Sequence, residues 1–265
     1  MNKEANQTLP KWLLPHALGV DVAFAAFVWG GACAAFHYTN VLGAGAMLLL
    51  AVAAWGCVML ARIVRAVGDG GSRYASFYRN HLAWLLLLLF CAAMAALWML
   101  FFYVGRGLLE YALYVSVLLF WGVIFRGGLL GNLCRALAFS VACFAPAFFY
   151  DSQALPLALF FTLKVWGVAC LFFLFFMHRA TLSTKLNKLV SLISFVLFIW
   201  LVISIYNATP NERGFCCFMV LGLACVHLIS RHVRKLGQDV SDALDWPLMG
   251  AAAVLGCMFF APDVF

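Results

Sequence analysis

The chain has 265 residues, of which 66% are hydrophobic and only 10% charged, and its mean hydropathy is +1.02. A soluble domain carries about 45–50% apolar and about 25% charged residues, so 17 bases and 10 carboxylates cannot cover a water-facing surface here. A soluble enzyme, a disordered chain and a nucleic-acid-binding module are excluded, because the net charge of +7 sits on bases that flank apolar runs.

Residues 1–14 (MNKEANQTLPKWLL) are too polar for the core of a signal peptide, and a full-length apolar run follows them. They are expected to form a short cytoplasmic segment with no cleaved signal. Nine apolar runs succeed one another, at roughly 17–36, 42–64, 82–104, 107–125, 128–149, 154–177, 187–206, 214–231 and 246–262, each near the about 20 residues of a spanning helix. Gly127-Gly128, after Arg126, is the only break between the fourth and fifth. The runs are continuously apolar and lack the alternation of a membrane β-barrel. The expected fold is therefore all-α: one polytopic domain over 1–265, with about nine transmembrane helices and the N-terminus in the cytoplasm.

Orientation follows from the bases. With a cytoplasmic N-terminus, the inner side holds Lys3, Lys11, Arg62, Arg65, Arg73, Arg79, Arg126, Arg179, Lys185, Lys188, Arg231, Arg234 and Lys235. The outer side holds Arg106 and Arg213, while Arg135 and Lys164 lie within spans. So one-sided a distribution supports an odd number of spans. The ten cysteines all lie inside apolar runs, with no CxxC and no zinc-finger spacing; they read as small packing residues. Gly30-Gly31, Gly43 and Gly45 suit close helix packing.

A charge within a span costs about 2.5–3.5 kcal/mol at the helix centre on insertion scales, so it normally faces a partner or a cavity. Asp21, one turn inside the first span, and Arg135, two turns inside the fifth, both approach from the cytoplasmic side. They read as an intramembrane polar pair or as two groups lining a polar pocket, with a structural ion pair or snorkelling as the plainer alternative. Glu110 and Lys164 receive no role.

Three inner loops carry the remaining chemistry. RIVRAVGDGGSRYASFYRNH holds Arg62, Arg65, Arg73, Arg79, His81 and one carboxylate, Asp69; HRATLSTKLNK holds His178, Arg179, Lys185 and Lys188. Topology and anionic lipid headgroups explain many of these bases. The functional alternative is that they hold a phosphate-bearing substrate, since Arg meets phosphate oxygens with two parallel donors. RHVRKLGQDVSDALDWP adds Asp239, Asp242 and Asp245, every third residue, before the last run. Helix-start capping is the preferred reading of that trio over a metal or proton site. Gly68-Asp69-Gly70-Gly71 lacks the GKS or GKT of a Walker A loop, and no HExxH, GxSxG or Ser/His/Asp arrangement occurs.

Four segments carry a resemblance: LPHALGVDVAFAAFVW with Asp21, AAWGCVMLARIV followed by SRYASFYRNH, VACLFFLFFMHRA, and DVSDALDWPLM. With nine runs and long inner loops after the second and sixth, the chain resembles the UbiA superfamily of intramembrane prenyltransferases, in its divergent bacterial form. The resemblance covers nearly the whole chain and is diffuse. It implies a UbiA-like bundle in a bacterial inner membrane and transfer of a prenyl group from its diphosphate to a hydrophobic or aromatic acceptor. In that superfamily, carboxylates of NDxxDxxxD and DxxxD motifs hold two magnesium ions against the diphosphate, as octahedral oxygen sites demand.

This chain departs at that point. Its first motif is reduced to Asp69, the one candidate Mg2+ ligand, and its second reads HRATLSTK. Two readings follow. Catalysis has been lost, leaving an isoprenoid- or lipid-binding membrane protein; or Arg62, Arg65, Arg73, Arg79, His178 and Arg179 hold the diphosphate in place of metal. A small transporter is the alternative from another class, kept by Pro146 and the Asp21/Arg135 pair and weakened by the lack of an internal repeat. The expected partners are membrane lipids, a polyprenyl diphosphate and a hydrophobic acceptor.

Overall fold

The computed structural model describes residues 9–37, 44–68, 73–102, 106–125, 128–148, 162–179 and 184–260, and all regular structure among them is helical. Helices follow from the composition, since a chain in hydrocarbon must satisfy each backbone N–H and C=O within its own segment. In chain order they are α1 Leu14–Ala17, α2 Val20–His37, α3 Ala44–Gly68, α4 Arg73–Asn80, α5 Leu82–Phe102, α6 Arg106–Ile124, α7 Leu129–Phe144, α8 Leu163–Arg179, α9 Thr184–Asn207, α10 Pro210–Arg231 and α11 Gln238–Phe260.

Each predicted apolar run overlaps one of these helices, and residues 42–43, 103–104, 149, 154–161 and 261–262 of the runs lie outside the described residues. Five stretches are long and apolar enough to cross a membrane alone: Ala44–Val67, Leu82–Phe102, Leu186–Asn207, Glu212–Leu236 and Asp239–Phe259. Lys11–Ala17 and Val20–Phe36 make a sixth if counted as one span, bent by 53°. The shorter apolar stretches Ala112–Ile124 and Leu129–Phe144 do not reach that length, and α8 has 17 residues. Against an expected nine, five or six spans meet the length test among the described residues.

The core lies where α2, α7, α8, α10 and α11 meet. The small residues of α2, Ala25, Ala26, Ala32 and Cys33, are buried and admit neighbouring helices closely. At Gly30 a Cβ would meet Leu50 at 2.7 Å, so the expected close approach occurs there; at Gly45 nothing lies within 4 Å. Trp29 is fully buried between Phe172 (ring centroids 5.0 Å apart) and Phe218 (4.6 Å). Its indole N–H donates to the Met249 carbonyl at 3.0 Å, which leaves no orphan donor in the apolar interior. The ten cysteines are unbridged.

One feature departs from expectation. The last helix starts at Gln238, eight residues before the predicted run, and carries Pro247 inside it. Its first two turns hold three aspartates, so hydropathy passes over them. Helix α5 packs on α3 and touches α4, leaving Trp84, Phe90, Phe101 and Phe102 exposed.

Candidate functional site

The first polar cluster grows from a break in the chain's opening helix. Gly19 has φ +70°, the left-handed conformation that closes a helix C-terminus and that glycine adopts without a Cβ penalty. Its N–H reaches back to the His16 carbonyl at 2.9 Å, and α2 restarts at the next residue. The break leaves three successive carbonyls without their helical partners. Side chains from α3 and α4 take them: Arg62 Nη1 donates to the His16 carbonyl, the Tyr78 hydroxyl to Ala17 at 2.6 Å, and Trp55 Nε1 to Leu18 at 2.6 Å.

The same break folds His16 back onto Asp21, five residues on, with Nδ1 and Oδ2 2.7 Å apart. Arg62 Nη2 lies 3.4 Å from His16 Nε2. An arginine only donates, so Nε2 accepts and Nδ1 carries the proton toward Asp21. His16 thus bridges a guanidinium and a carboxylate. The Tyr74 ring stands edge-on to the imidazole at 6.0 Å. Asp21 Oδ1 and the Tyr74 hydroxyl are buried without a hydrogen-bond partner among the described residues. Burial, reinforced by the charges of Asp242 and Asp239, pushes the Tyr74 phenol up to about 12, so it stays a donor at physiological pH.

The second cluster joins α8 to α11. Arg179, the last residue of α8, places Nη2 3.4 Å from Asp242 Oδ1 and Nε 3.4 Å from Asp245 Oδ2. Its guanidinium lies 5.6 Å from the Phe175 ring centroid. Ser241 donates to Asp245 Oδ1 at 3.2 Å, and Asp245 is only 1% exposed. Arg234 shares the electrostatic field of Arg179 and both carboxylates. Spacing of three puts Asp242 and Asp245 on one helix face. Arg179 Nη1 takes no partner among the described residues, and the side chain stays 26% exposed. The clusters share one end of the bundle, since Tyr74 feels Asp239 and Asp242 together with Arg62. At the opposite end Lys164 donates to the Phe36 carbonyl at 3.3 Å, 5.8 Å from the Phe215 ring centroid.

The predicted site residues divide accordingly. Arg62 and Arg179 belong to the two clusters. His178 stands beside the second, its ring 6.4 Å from that of His227, which in turn meets Ser194 Oγ at 2.8 Å. Arg65 and Arg79 are exposed and belong to neither cluster; Arg79 Nε donates to the Ala75 carbonyl of its own helix, at 3.4 Å. Asp69 and the side chain of Arg73 lie outside the described residues. The expected Asp21/Arg135 pair resolves into separate sets of contacts. Asp21 bonds His16, while Arg135 donates to the Gly122 carbonyl at 3.1 Å and to Asn132 Oδ1 at 3.4 Å. The helix break brings a local partner to Asp21, and the close α6–α7 pair offers carbonyl oxygen to Arg135.

His16, Tyr74 and Tyr78 were not anticipated; the PHALGVD string, with glycine between His16 and Asp21, was the available signal. Asp239 lies in the first turn of α11, while Asp242 and Asp245 turn onto Arg179. Asp69 being outside the described residues, the oxygen donors that are described are not grouped for a magnesium pair. Among the described residues no group of three or more His, Cys, Asp or Glu could hold a metal ion, and the two inward carboxylates already carry a guanidinium. No protein-family model, no curated protein and no solved structure matches this chain.

Proposed function

We propose that this chain is an integral membrane protein that holds the phosphate-bearing head of an isoprenoid lipid at the polar end of its bundle, without a metal pair. The observation that carries this reading is the setting of Arg179. Two carboxylates and a ring orient its guanidinium, which stays partly exposed and whose Nη1 takes no partner among the described residues. A pre-oriented guanidinium of this kind gives an anion charge-assisted hydrogen bonds with little ordering cost. Arg234 adds a second cation nearby. The UbiA-like resemblance supplies the substrate class, a polyprenyl diphosphate, and the inner membrane face as the place.

The catalytic form of this reading is prenyl transfer to a hydrophobic acceptor. It asks that charge developing on the departing diphosphate be stabilised, and Arg179 and Arg234 are the cations positioned to do it. The test is binding of a radiolabelled polyprenyl diphosphate to the detergent-solubilised chain, in magnesium and then in EDTA. Binding that persists in EDTA and weakens with salt supports the proposal. Magnesium-dependent binding would return the site to carboxylates outside the described residues. Absence of binding in both conditions would remove the assignment.

A further inference from the structure

His178 and Arg179 are successive residues at the end of α8, about 100° apart around the helix, and they face different neighbours. Arg179 turns to α11, where it meets Asp242 and Asp245. His178 turns to α10, where its ring lies 6.4 Å from that of His227. The short segment Val233–Leu236 joins α10 to α11, and its Arg234 serves both sides. The Arg234 charge acts together with Arg179, Asp242 and Asp245, and it also acts on His178.

The charges at this end balance as they stand, with Arg179 and Arg234 opposing Asp242 and Asp245. A phosphate-bearing head brings about two further negative charges, so compensation has to come from outside these four groups. A divalent metal is the usual source, and the described carboxylates are not grouped for one. A proton is the other source, and His178 is the group placed to take it. It is half-buried, and the charged or titratable groups acting on it are Arg234 and His227. His227 in turn meets Ser194 Oγ of α9 at 2.8 Å and feels Arg231 of its own helix. From α7 the nearest polar contact is the neutral Asn132, on Met177 Sδ, with Arg135 turned away toward α6. Burial, the Arg234 charge and His227 hold the His178 imidazole down at about 4, so it is neutral at physiological pH. An anion on Arg179 and Arg234 offsets the charge that opposes protonation.

We propose that the phosphate head held at Arg179 enters together with a proton, taken from bulk water onto His178, so that an imidazolium supplies the compensation a metal ion would otherwise give. The proposal rests on the anion-holding reading of Arg179 and adds how the charge of its ligand is balanced. By linkage, affinity rises as pH falls from the His178 titration of the bound protein toward that of the free protein.

The experiment is equilibrium binding of radiolabelled polyprenyl diphosphate to the full detergent-solubilised chain in EDTA, for wild-type and His178→Gln proteins. It is run at about pH 7.5 and about pH 5.5, on either side of the ordinary imidazole titration. The ligand's own phosphate titration is common to both proteins and cancels in their ratio. With the imidazole returned to its ordinary range by the anion, the wild-type protein gains about tenfold over His178→Gln at the lower pH and almost nothing at the higher. Histidine-selective NMR of the wild-type protein reads the same event without a variant: saturation with ligand is expected to move the His178 titration up into the ordinary imidazole range. Binding with parallel pH profiles in the two proteins, or a His178 titration unmoved in the ligand-bound protein, would overturn the proposal and leave the Arg179 reading standing. Absence of binding at either pH would remove the Arg179 reading and this proposal with it.

Discussion

The two polar clusters at one end of the bundle solve the same problem by different means. Around Gly19 the orphans are backbone carbonyls, and an arginine, a tyrosine and a tryptophan from other helices cap them. Around Arg179 the groups are side-chain charges, and the guanidinium sits between two aspartates. The first arrangement consumes its arginine: Arg62 is committed to His16 through both Nη atoms. The second orients its arginine and leaves one nitrogen without a partner among the described residues. Two residues of one type, both drawn from basic inner loops, thus divide into a structural cap and a candidate ligand-holder.

The largest expected effect tests the second cluster. Arg179→Ala strands the buried Asp245 carboxylate and is expected to cost about 3–5 kcal/mol, the range for breaking one side of a buried pair. Unfolding of the detergent-solubilised protein measures it. Adding Asp245→Asn should recover most of the loss, because the stranded charge is gone; no recovery would mean that Arg179 acts through other contacts.

Arg62→Ala comes next, at about 1.5–3 kcal/mol, the range for a hydrogen bond from a charged donor. It also frees His16 Nε2, and unfolding of the detergent-solubilised protein measures the loss. A larger cost for Arg62→Ala than for Arg179→Ala would reverse the contrast between cap and ion pair. Gly19→Ala forces a Cβ into the left-handed region, at about 1–2 kcal/mol, with Trp55 Cδ1 3.3 Å from the new atom. Its melting temperature should fall. Tyr78→Phe removes one hydroxyl from the Ala17 carbonyl and is the smallest, about 0.6 kcal/mol, as for an average side-chain hydrogen bond in a membrane protein. An effect on Tyr78→Phe equal to that on Gly19→Ala would show that the hydroxyl, not the backbone turn, holds the break.

The helices themselves were legible because apolar runs speak directly through hydropathy; α3, α5 and α9 coincide with their runs to within a few residues. The break at Gly19 was not, because the residues on either side of it are apolar enough to continue one helix. The start of α11 was missed for the opposite reason: its first turns carry aspartates whose inward face answers an arginine 63 residues earlier in the chain. Periodicity could place Asp242 and Asp245 on one face, but only packing of α8 beside α11 supplies Arg179. Asp21 was singled out correctly as a costly buried charge, while its partner lay five residues away and not across the bundle.

Equilibrium binding of a radiolabelled polyprenyl diphosphate in EDTA, compared for wild-type, Arg179→Gln and Arg79→Gln proteins, tests the central claim most directly. Binding should be present without metal, weaken about tenfold or more in Arg179→Gln, in line with loss of a charge-assisted hydrogen bond, and remain unchanged in Arg79→Gln. Abolition of wild-type binding by EDTA, or wild-type affinity in Arg179→Gln, would contradict it.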